Sequence, residues 1–231
     1  MMPYESNKIV SRAFETRAAL HSALIVLLHD EMQTHKPYPY AVLLSGGSTP
    51  KPVYDQIAKM LNTVSDNLHL AYTDERYVAY DSPESNYNMS LPMVLASGLA
   101  TDKVFRVQTE VAFEESAARY HDDLANFLFK GGKITLGLLG LGTDGHTCSL
   151  FNDIDLERSK NRLAAPIYRD VPPNRITVTP ELLNQVEQIV FVAAGQDKTE
   201  MIELMQKSPE TLTAGKAVAD CKSIQLWYSL D

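Results

Sequence analysis

Residues 134–141, ITLGLLGL, form an apolar run that stops abruptly at Gly140, Gly142 and Gly145. A run of this length with so sharp a stop reads as a strand buried on both faces. Asp144 and His146 stand in the glycine turn, and Thr147–Phe151 is predicted to begin a short helix. A loosened turn at the carboxyl end of a buried strand is where open α/β sheets usually place their chemistry. His146 is the side chain there best able to move a proton near neutral pH.

The rest of the chain repeats this grammar. Tyr40–Leu44 is a short apolar strand that runs into Ser45-Gly46-Gly47-Ser48-Thr49-Pro50, with a helix predicted over Lys51–Leu61. Leu68–Thr73 is the next strand, followed at once by Asp74-Glu75-Arg76. Ser85-Asn86-Tyr87-Asn88 leads into a helix through Ser97, and Lys103–Val107 is a strand. Ala112–Phe129 is a long helix with Phe113, Ala117, Tyr120, Leu124 and Leu128 on one face. After the central turn, Asp153–Asn161 reads as a surface loop or short helix. Ala164–Tyr168 and Arg175–Thr179 read as strands around Pro172-Pro173. Pro180–Val186 is a short helix, and Ile189–Ala194 a buried strand ending in Gly195-Gln196-Asp197-Lys198. A further helix runs to Gln206, and Ile224–Tyr228 is the last strand, with Trp227 in the core. At the start, Ser11–His35 predicts one amphipathic helix. Strands alternating with helices predict an α/β fold, a mostly parallel twisted sheet with helices on both faces. Length suits one domain over residues 1–231. The loops after Leu44, Thr73, Leu141 and Ala194 then open on one side.

A net charge of −8 argues against a nucleic-acid or anionic-membrane partner. An anionic small molecule would need a local cluster of Arg and Lys. The most apolar early stretch, Ala18–Leu28, is too short to span a membrane and carries His21. The first residues lack a basic region followed by an apolar one. Cys148 and Cys221 have no metal-like spacing and read as free thiols in a reducing compartment. The expectation is a cytoplasmic protein with a small-molecule partner, its oligomeric state open.

Brought together, the loops offer Gly46, Gly47, Asp74, Arg76, His146 and Lys198, and this convergence points to an enzyme. Adjacent glycines before a helix can aim backbone N–H groups at a phosphate. Ser48 or Thr49 is expected to cap that helix, with Pro50 in its first turn. An ordinary tight turn fits the same residues equally well. Arg76 is open to two roles, pairing with Asp74 or Glu75 or facing a ligand. Gly140-x-Gly142-x-x-Gly145 matches the dinucleotide fingerprint, yet Asp144 would sit where a pyrophosphate must approach. The acidic residue that should follow about 20 positions on is missing from Leu163–Tyr168.

Taken in order, LLSGGSTP (Leu43–Pro50), TDERYV (Thr73–Val78) with SNY (Ser85–Tyr87), GLGTDGHTCSLF (Gly140–Phe151), and RITVT (Arg175–Thr179) followed by Gly195-x-x-Lys198 resemble the 6-phosphogluconolactonases. The resemblance covers nearly the whole chain, and it is the ordered set that is specific. It implies a Rossmann-like sheet of the sugar-phosphate isomerase type. The implied reaction is hydrolysis of 6-phospho-D-glucono-1,5-lactone to 6-phospho-D-gluconate in the pentose phosphate pathway, with no metal and no organic cofactor. The related glucosamine-6-phosphate deaminases share the glycine loop and a GxGxDGH segment but typically continue with an apolar residue and Asn-Glu-Pro. An amino-sugar-phosphate deaminase or isomerase, or a non-catalytic sugar-phosphate sensor, are the alternatives. One departure is that Asn152-Asp153 stands where the family usually has Pro after Ser-Leu-Phe.

The resemblance implies His146 as the general base that deprotonates water, oriented by Asp144 or Asp74. Arg76 and backbone N–H groups of the 142–147 turn, Gly145 among them, would meet the developing oxyanion. Gly46, Gly47, Ser48 and Thr49 would hold the phosphate, with Arg175 and Lys198 as counter-charges. Cys148 or Ser149 as a covalent nucleophile is the minor alternative.

Overall fold

A computed structural model describes residues 9–61 and 63–231. In chain order the strands and helices are β1 (Val10–Ala13), α1 (Arg17–Gln33), β2 (Tyr40–Leu44), α2 (Lys51–Met60), β3 (Leu68–Tyr72), β4 (Asp74–Arg76), α3 (Asn86–Ser97), β5 (Val104–Phe105) and α4 (Phe113–Phe129). Then follow β6 (Lys133–Gly140), α5 (Asp153–Arg158), β7 (Ala164–Ile167), β8 (Arg175–Val178), α6 (Pro180–Leu183), β9 (Val186–Ala194), α7 (Thr199–Lys207), α8 (Thr213–Ala217) and β10 (Ile224–Ser229). Seven strands form one sheet in the order β1-β10-β9-β6-β2-β3-β5, every pairing parallel. The expected α/β architecture with a mostly parallel sheet is therefore present.

Strand alternation separates two cores. Along β2, Tyr40, Val42 and Leu44 face one side with α1, α2 and α3. Ala41 and Leu43 face the other with α4, α7 and α8. All five are fully buried, as strands covered on both faces require. On α1, Leu20, Leu24, Leu28 and Met32 recur every fourth residue and are its buried stripe.

The chain moves outward from β2 to β3 and β5, then returns through α4 to β6 on the other side of β2. The loops leaving β2 and β6 thus part in opposite directions, which opens a crevice at the carboxyl ends of these two neighbours. A second sheet, in the order β4-β8-β7 and antiparallel, flanks that edge. It is tied to the first by the Val178 N–H donating to the Thr73 carbonyl at 2.9 Å.

Three sequence expectations are corrected. The Ser11–His35 segment is not one helix. Val10–Ala13 pairs with β10 as an edge strand, and Thr16 caps the helix by accepting from the Ala19 N–H at 3.1 Å. Thr147–Phe151 does not begin a helix, because Cys148 takes a φ of 52° and Thr147 and Leu150 close a tight turn. A right-handed helix has no place for that dihedral, so α5 starts only at Asp153. Neither Ser48 nor Thr49 caps α2, whose first turn carries no side-chain cap. α8 was not anticipated.

Tyr120 shows how tertiary contacts finish the sheet. β5 pairs with β3 only as far as Ala71. Next to it, the Tyr120 hydroxyl donates to the Tyr72 carbonyl at 2.6 Å and accepts from the Tyr72 N–H at 2.8 Å. One phenol replaces the missing strand residue on both groups. Tyr120→Phe leaves both unpaired in a buried place and is expected to lower stability by about 1–3 kcal/mol. A lower urea midpoint with an unchanged slope would show this.

Candidate active site

The crevice is a cleft of about 470 Å³ lined from four strand ends and two helix starts. Ser45–Pro50 follow β2, and Thr73, Asp74 and Arg76 follow β3. Gly140 ends β6 and Leu141, Gly142, His146 and Cys148 follow it, while Val192–Ala194 end β9 and Asp197 and Lys198 follow it. Arg17 comes from the start of α1, and Asn86 from α3. The four loops expected to converge do converge. Arg17 and Asn86 were not foreseen. Arg17 begins a helix in sequence far from any glycine motif, and only the closing of β1 on β10 brings it here.

His146 is paired through Nδ1 with the Asp144 carboxylate. A carboxylate only accepts, so Nδ1 carries the proton, and in the neutral tautomer this selects Nε2 keeps its lone pair. Asp144, not Asp74, orients the imidazole. Burial alone would raise the Asp144 carboxyl. The hydrogen bond and charge of His146 outweigh it, and the net direction is downward. A Cβ on Gly142 would overlap both the His146 ring and the Asp144 carboxylate. The pair therefore lies directly on the Gly142 backbone, and any side chain there would have to displace it. One side of the imidazole meets Phe151, with ring centroids 4.6 Å apart.

Asp74 is 8% exposed and satisfied by protein. It accepts from Ser149 Oγ at 2.6 Å, Thr73 Oγ1 at 3.2 Å and Asn86 Nδ2 at 3.3 Å. Glu75 turns away and takes the N–H groups of Arg76, Asn86 and Tyr87 and the Ser85 hydroxyl, all within 3.0 Å. Burial pushes its carboxyl up in spite of these donors. Arg76 is paired with neither acid. Its Nη1 donates to the Glu84 carbonyl at 2.8 Å, and its Nε is buried without a partner among the described residues.

On the β2 side, no acceptor among the described residues takes the N–H groups of Gly46, Gly47 or Ser48. Asn86 packs so closely on Gly46 that a Cβ there would overlap its amide. Lys198 and Arg17 line the same cleft. Arg17 reaches the Asp231 carbonyl at 3.3 Å.

Two expected residues do not join the lining. Arg175 sits on β8 opposite Arg76, and the carbonyls of Pro173 and Asn174 hold its guanidinium. Burial, then the neighbouring Arg76, pushes its pKa down. Gly145 is buried against Leu212 and Met201, and its carbonyl accepts from the Ala214 N–H of α8 at 2.9 Å. The 142–147 turn is also poorer in free donors than expected. Gly142 N–H donates to the His146 carbonyl at 2.8 Å and Gly145 N–H to the Gly142 carbonyl at 3.2 Å.

The nucleophile alternatives lose ground. Burial and the charge of Asp74 push the Cys148 thiol well above its ordinary range, against the thiolate that attack requires. Ser149 is buried and gives its proton to Asp74. The unusual Asn152-Asp153 serves as a helix start. Asn152 Oδ1 accepts from the Asp155 N–H at 3.0 Å, and Asp155 Oδ2 accepts from the Phe151 N–H at 3.0 Å. Asp155, in the turn that Asn152 caps, anchors the Phe151 backbone. Among the described residues no group of three or more His, Cys, Asp and Glu side chains is placed to hold a metal ion. No helix among them is long and apolar enough to cross a membrane.

The family described as glucosamine-6-phosphate isomerases/6-phosphogluconolactonase matches residues 12–225. The chain belongs to this family. A 6-phosphogluconolactonase of Synechocystis sp. is 36% identical over 163 residues, 68% of this chain and 67% of that one. The 6-phosphogluconolactonase of Homo sapiens is 32% identical over 168 residues, 70% of this chain and 65% of that one. The aligned part therefore spans about two thirds of these relatives. The crystal structure of the Thermotoga maritima 6-phosphogluconolactonase matches with a TM-score of 0.75 at 25% identity, covering 97% of this chain and 100% of that one. A monomeric glucosamine-6-phosphate deaminase shares the fold, with a TM-score of 0.76 at 16% identity over 96% of this chain and 97% of that one.

Gly142→Ala is expected to separate His146 from Asp144 while the chain stays folded. In imidazole-selective ¹H–¹⁵N spectra the downfield Nδ1 proton of the pair should vanish in this variant. Its persistence would show that the turn can move the added methyl aside.

Proposed function

We propose that the chain hydrolyses 6-phospho-D-glucono-1,5-lactone to 6-phospho-D-gluconate, the lactonase step of the pentose phosphate pathway. The observation that carries this reading is the His146–Asp144 pair seated on Gly142 at the cleft, with an acid-free Arg76 lining the same space. Names of relatives and the family match support it. Two cysteines in 231 residues, together with a phosphorylated small-molecule substrate, support a cytoplasmic setting.

A δ-lactone is an activated ester, so the chemistry needs one placed base and one cation. His146 Nε2 takes a proton from water as the water oxygen bonds to the lactone carbonyl carbon. A placed base contributes roughly 10²–10⁴-fold. Negative charge then gathers on the carbonyl oxygen, where Arg76 donates. A single such donor is worth about 10²–10³-fold. Collapse of the tetrahedral species breaks the bond to the ring oxygen, which recovers the proton from His146 Nε2. Asp144 holds Nδ1–H throughout and stabilises the imidazolium.

The phosphate rests on the N–H groups of Gly46, Gly47 and Ser48, with Thr49 beside them. Lys198 and Arg17 supply counter-charge, and Arg175 contributes only field from behind Arg76. Anchoring at the far end accelerates hydrolysis by holding the carbonyl against His146.

The test is turnover of fresh lactone coupled to 6-phosphogluconate dehydrogenase, with spontaneous hydrolysis subtracted. His146→Ala is expected to lower kcat by about 10²–10⁴-fold, and Asp144→Asn to lower it with little change in KM. Wild-type rates no faster than spontaneous hydrolysis would reject the lactonase reading. Release of ammonia from glucosamine 6-phosphate would then favour the deaminase, and binding without turnover the sensor. Lys198→Ala is expected to raise KM about tenfold or more and to leave kcat nearly unchanged, as loss of a uniform binding contact does.

A further inference from the structure

The β7–β8 loop supplies a contact that the mechanism above does not use. Arg169 sits in this loop, and its guanidinium carbon lies 3.6 Å from the centre of the Phe151 ring. The centre of the His146 imidazole lies 4.6 Å from the same ring, tilted by 42°. Two groups this close cannot share one face of a benzene ring. Arg169 and His146 therefore contact different sides of Phe151.

We infer that Arg169 is a positioning residue for His146, acting through Phe151. The inference rests on the hydrolytic reading of His146. Asp144 fixes the direction of Nδ1, but one hydrogen bond leaves the imidazole free to roll about that bond. Rolling swings Nε2 away from the carbonyl it must serve. Phe151 closes off one side of that motion. Phe151 itself is half-buried: the core holds it in part, and the ring keeps an exposed side that a neighbour can cover. Arg169 covers it, as a guanidinium stacked on an aromatic ring does. The backbones are pinned independently. The Phe151 N–H is held by Asp155 at 3.0 Å, and the Arg169 N–H by the Asn174 side chain at 3.0 Å. Arg169 has no carboxylate partner among the described ion pairs, so the ring is its main engagement.

A second role for an unpaired arginine near this cleft would be direct contact with the substrate phosphate. The geometry favours the first role. Arg169 does not line the cleft, whereas Arg17, Arg76 and Lys198 do.

The experiment has two readouts. The first needs no substrate. His146 ring resonances, assigned by their loss in His146→Ala, are compared in wild type, Arg169→Met and Phe151→Leu. Both substitutions are expected to move them toward the values of a free, rotating imidazole, with far-UV CD unchanged. Arg169→Lys, which keeps a cation over the ring, should restore part of the shift. Unmoved His146 resonances in a folded Arg169→Met variant would overturn the inference, whatever the activity.

The second readout is kinetic. Arg169→Met is expected to lower kcat about tenfold with KM within twofold of wild type, since small misplacements of a base are costly. Arg169→Met and Phe151→Leu together should lose no more than the larger single effect, because they interrupt one chain of contacts. In a His146→Ala background Arg169→Met should have no effect. A raised KM with unchanged kcat would assign Arg169 to phosphate binding and overturn the inference. Absence of wild-type turnover would reject the lactonase reading and leave the spectroscopic arm to decide this one.

Discussion

In the cleft the His146–Asp144 pair rests on the bare backbone of Gly142. The interaction sets several other features. It requires a glycine at the end of β6, because any Cβ would occupy the space of the imidazole. It places the pair at the carboxyl end of a strand that is buried on both faces and cannot shift. It also spends N–H groups, since the turn closes through Gly142 donating to the His146 carbonyl. The turn is left with few free donors, and Arg76, brought from the other sheet, is a cation lining the same cleft.

Charge in the cleft is divided by partnership rather than by number. The chain carries −8 overall, yet three acids at and beside the site are occupied. Asp74 accepts from Ser149, Thr73 and Asn86, Glu75 takes four donors, and Asp144 holds His146. Arg76 and Lys198 have no acid partner among the described ion pairs. A buried carboxylate that already accepts several hydrogen bonds has little left to offer a cation. Two cations that line the cleft of an acidic protein are thus left without an acid partner among the described ion pairs.

Much of this was legible in the sequence. β2 falls on Tyr40–Leu44 as read, and α4 starts within a residue of its reading, because both carry long, regular apolar periods. The convergence of four loops followed from the alternation of strands and helices alone. What escaped has a common cause in partners distant along the chain. β1 exists because β10, more than 200 residues away, offers it an edge. Arg17 enters the cleft only through that pairing. Cys148 stops a helix by adopting φ of 52°, which its composition does not announce. Arg175 entered through the RITVT resemblance as a counter-charge to the phosphate. Two carbonyls and the register with Arg76 keep it out of the lining.

The small antiparallel sheet explains why this cleft is more than a switch-point crevice. A parallel sheet alone would end in loops, and an arginine on a loop loses entropy each time it is ordered against a ligand. β4 leaves β3 directly and is clamped by β8, with Asp74, Glu75 and Arg76 in register with Thr177, Ile176 and Arg175. Alternation along so short a strand sends Glu75 opposite to its neighbours, where it anchors the start of α3. Asp74 and Arg76 then share the cleft side, two residues apart. The same sheet carries the β7–β8 loop, and with it Arg169, to the far side of Phe151. One added sheet thus carries Arg76 and Arg169 toward the turn after β6 that holds His146. Relative motion of the two sheets would disturb both together, and the Thr73–Val178 hydrogen bond at their junction opposes that motion.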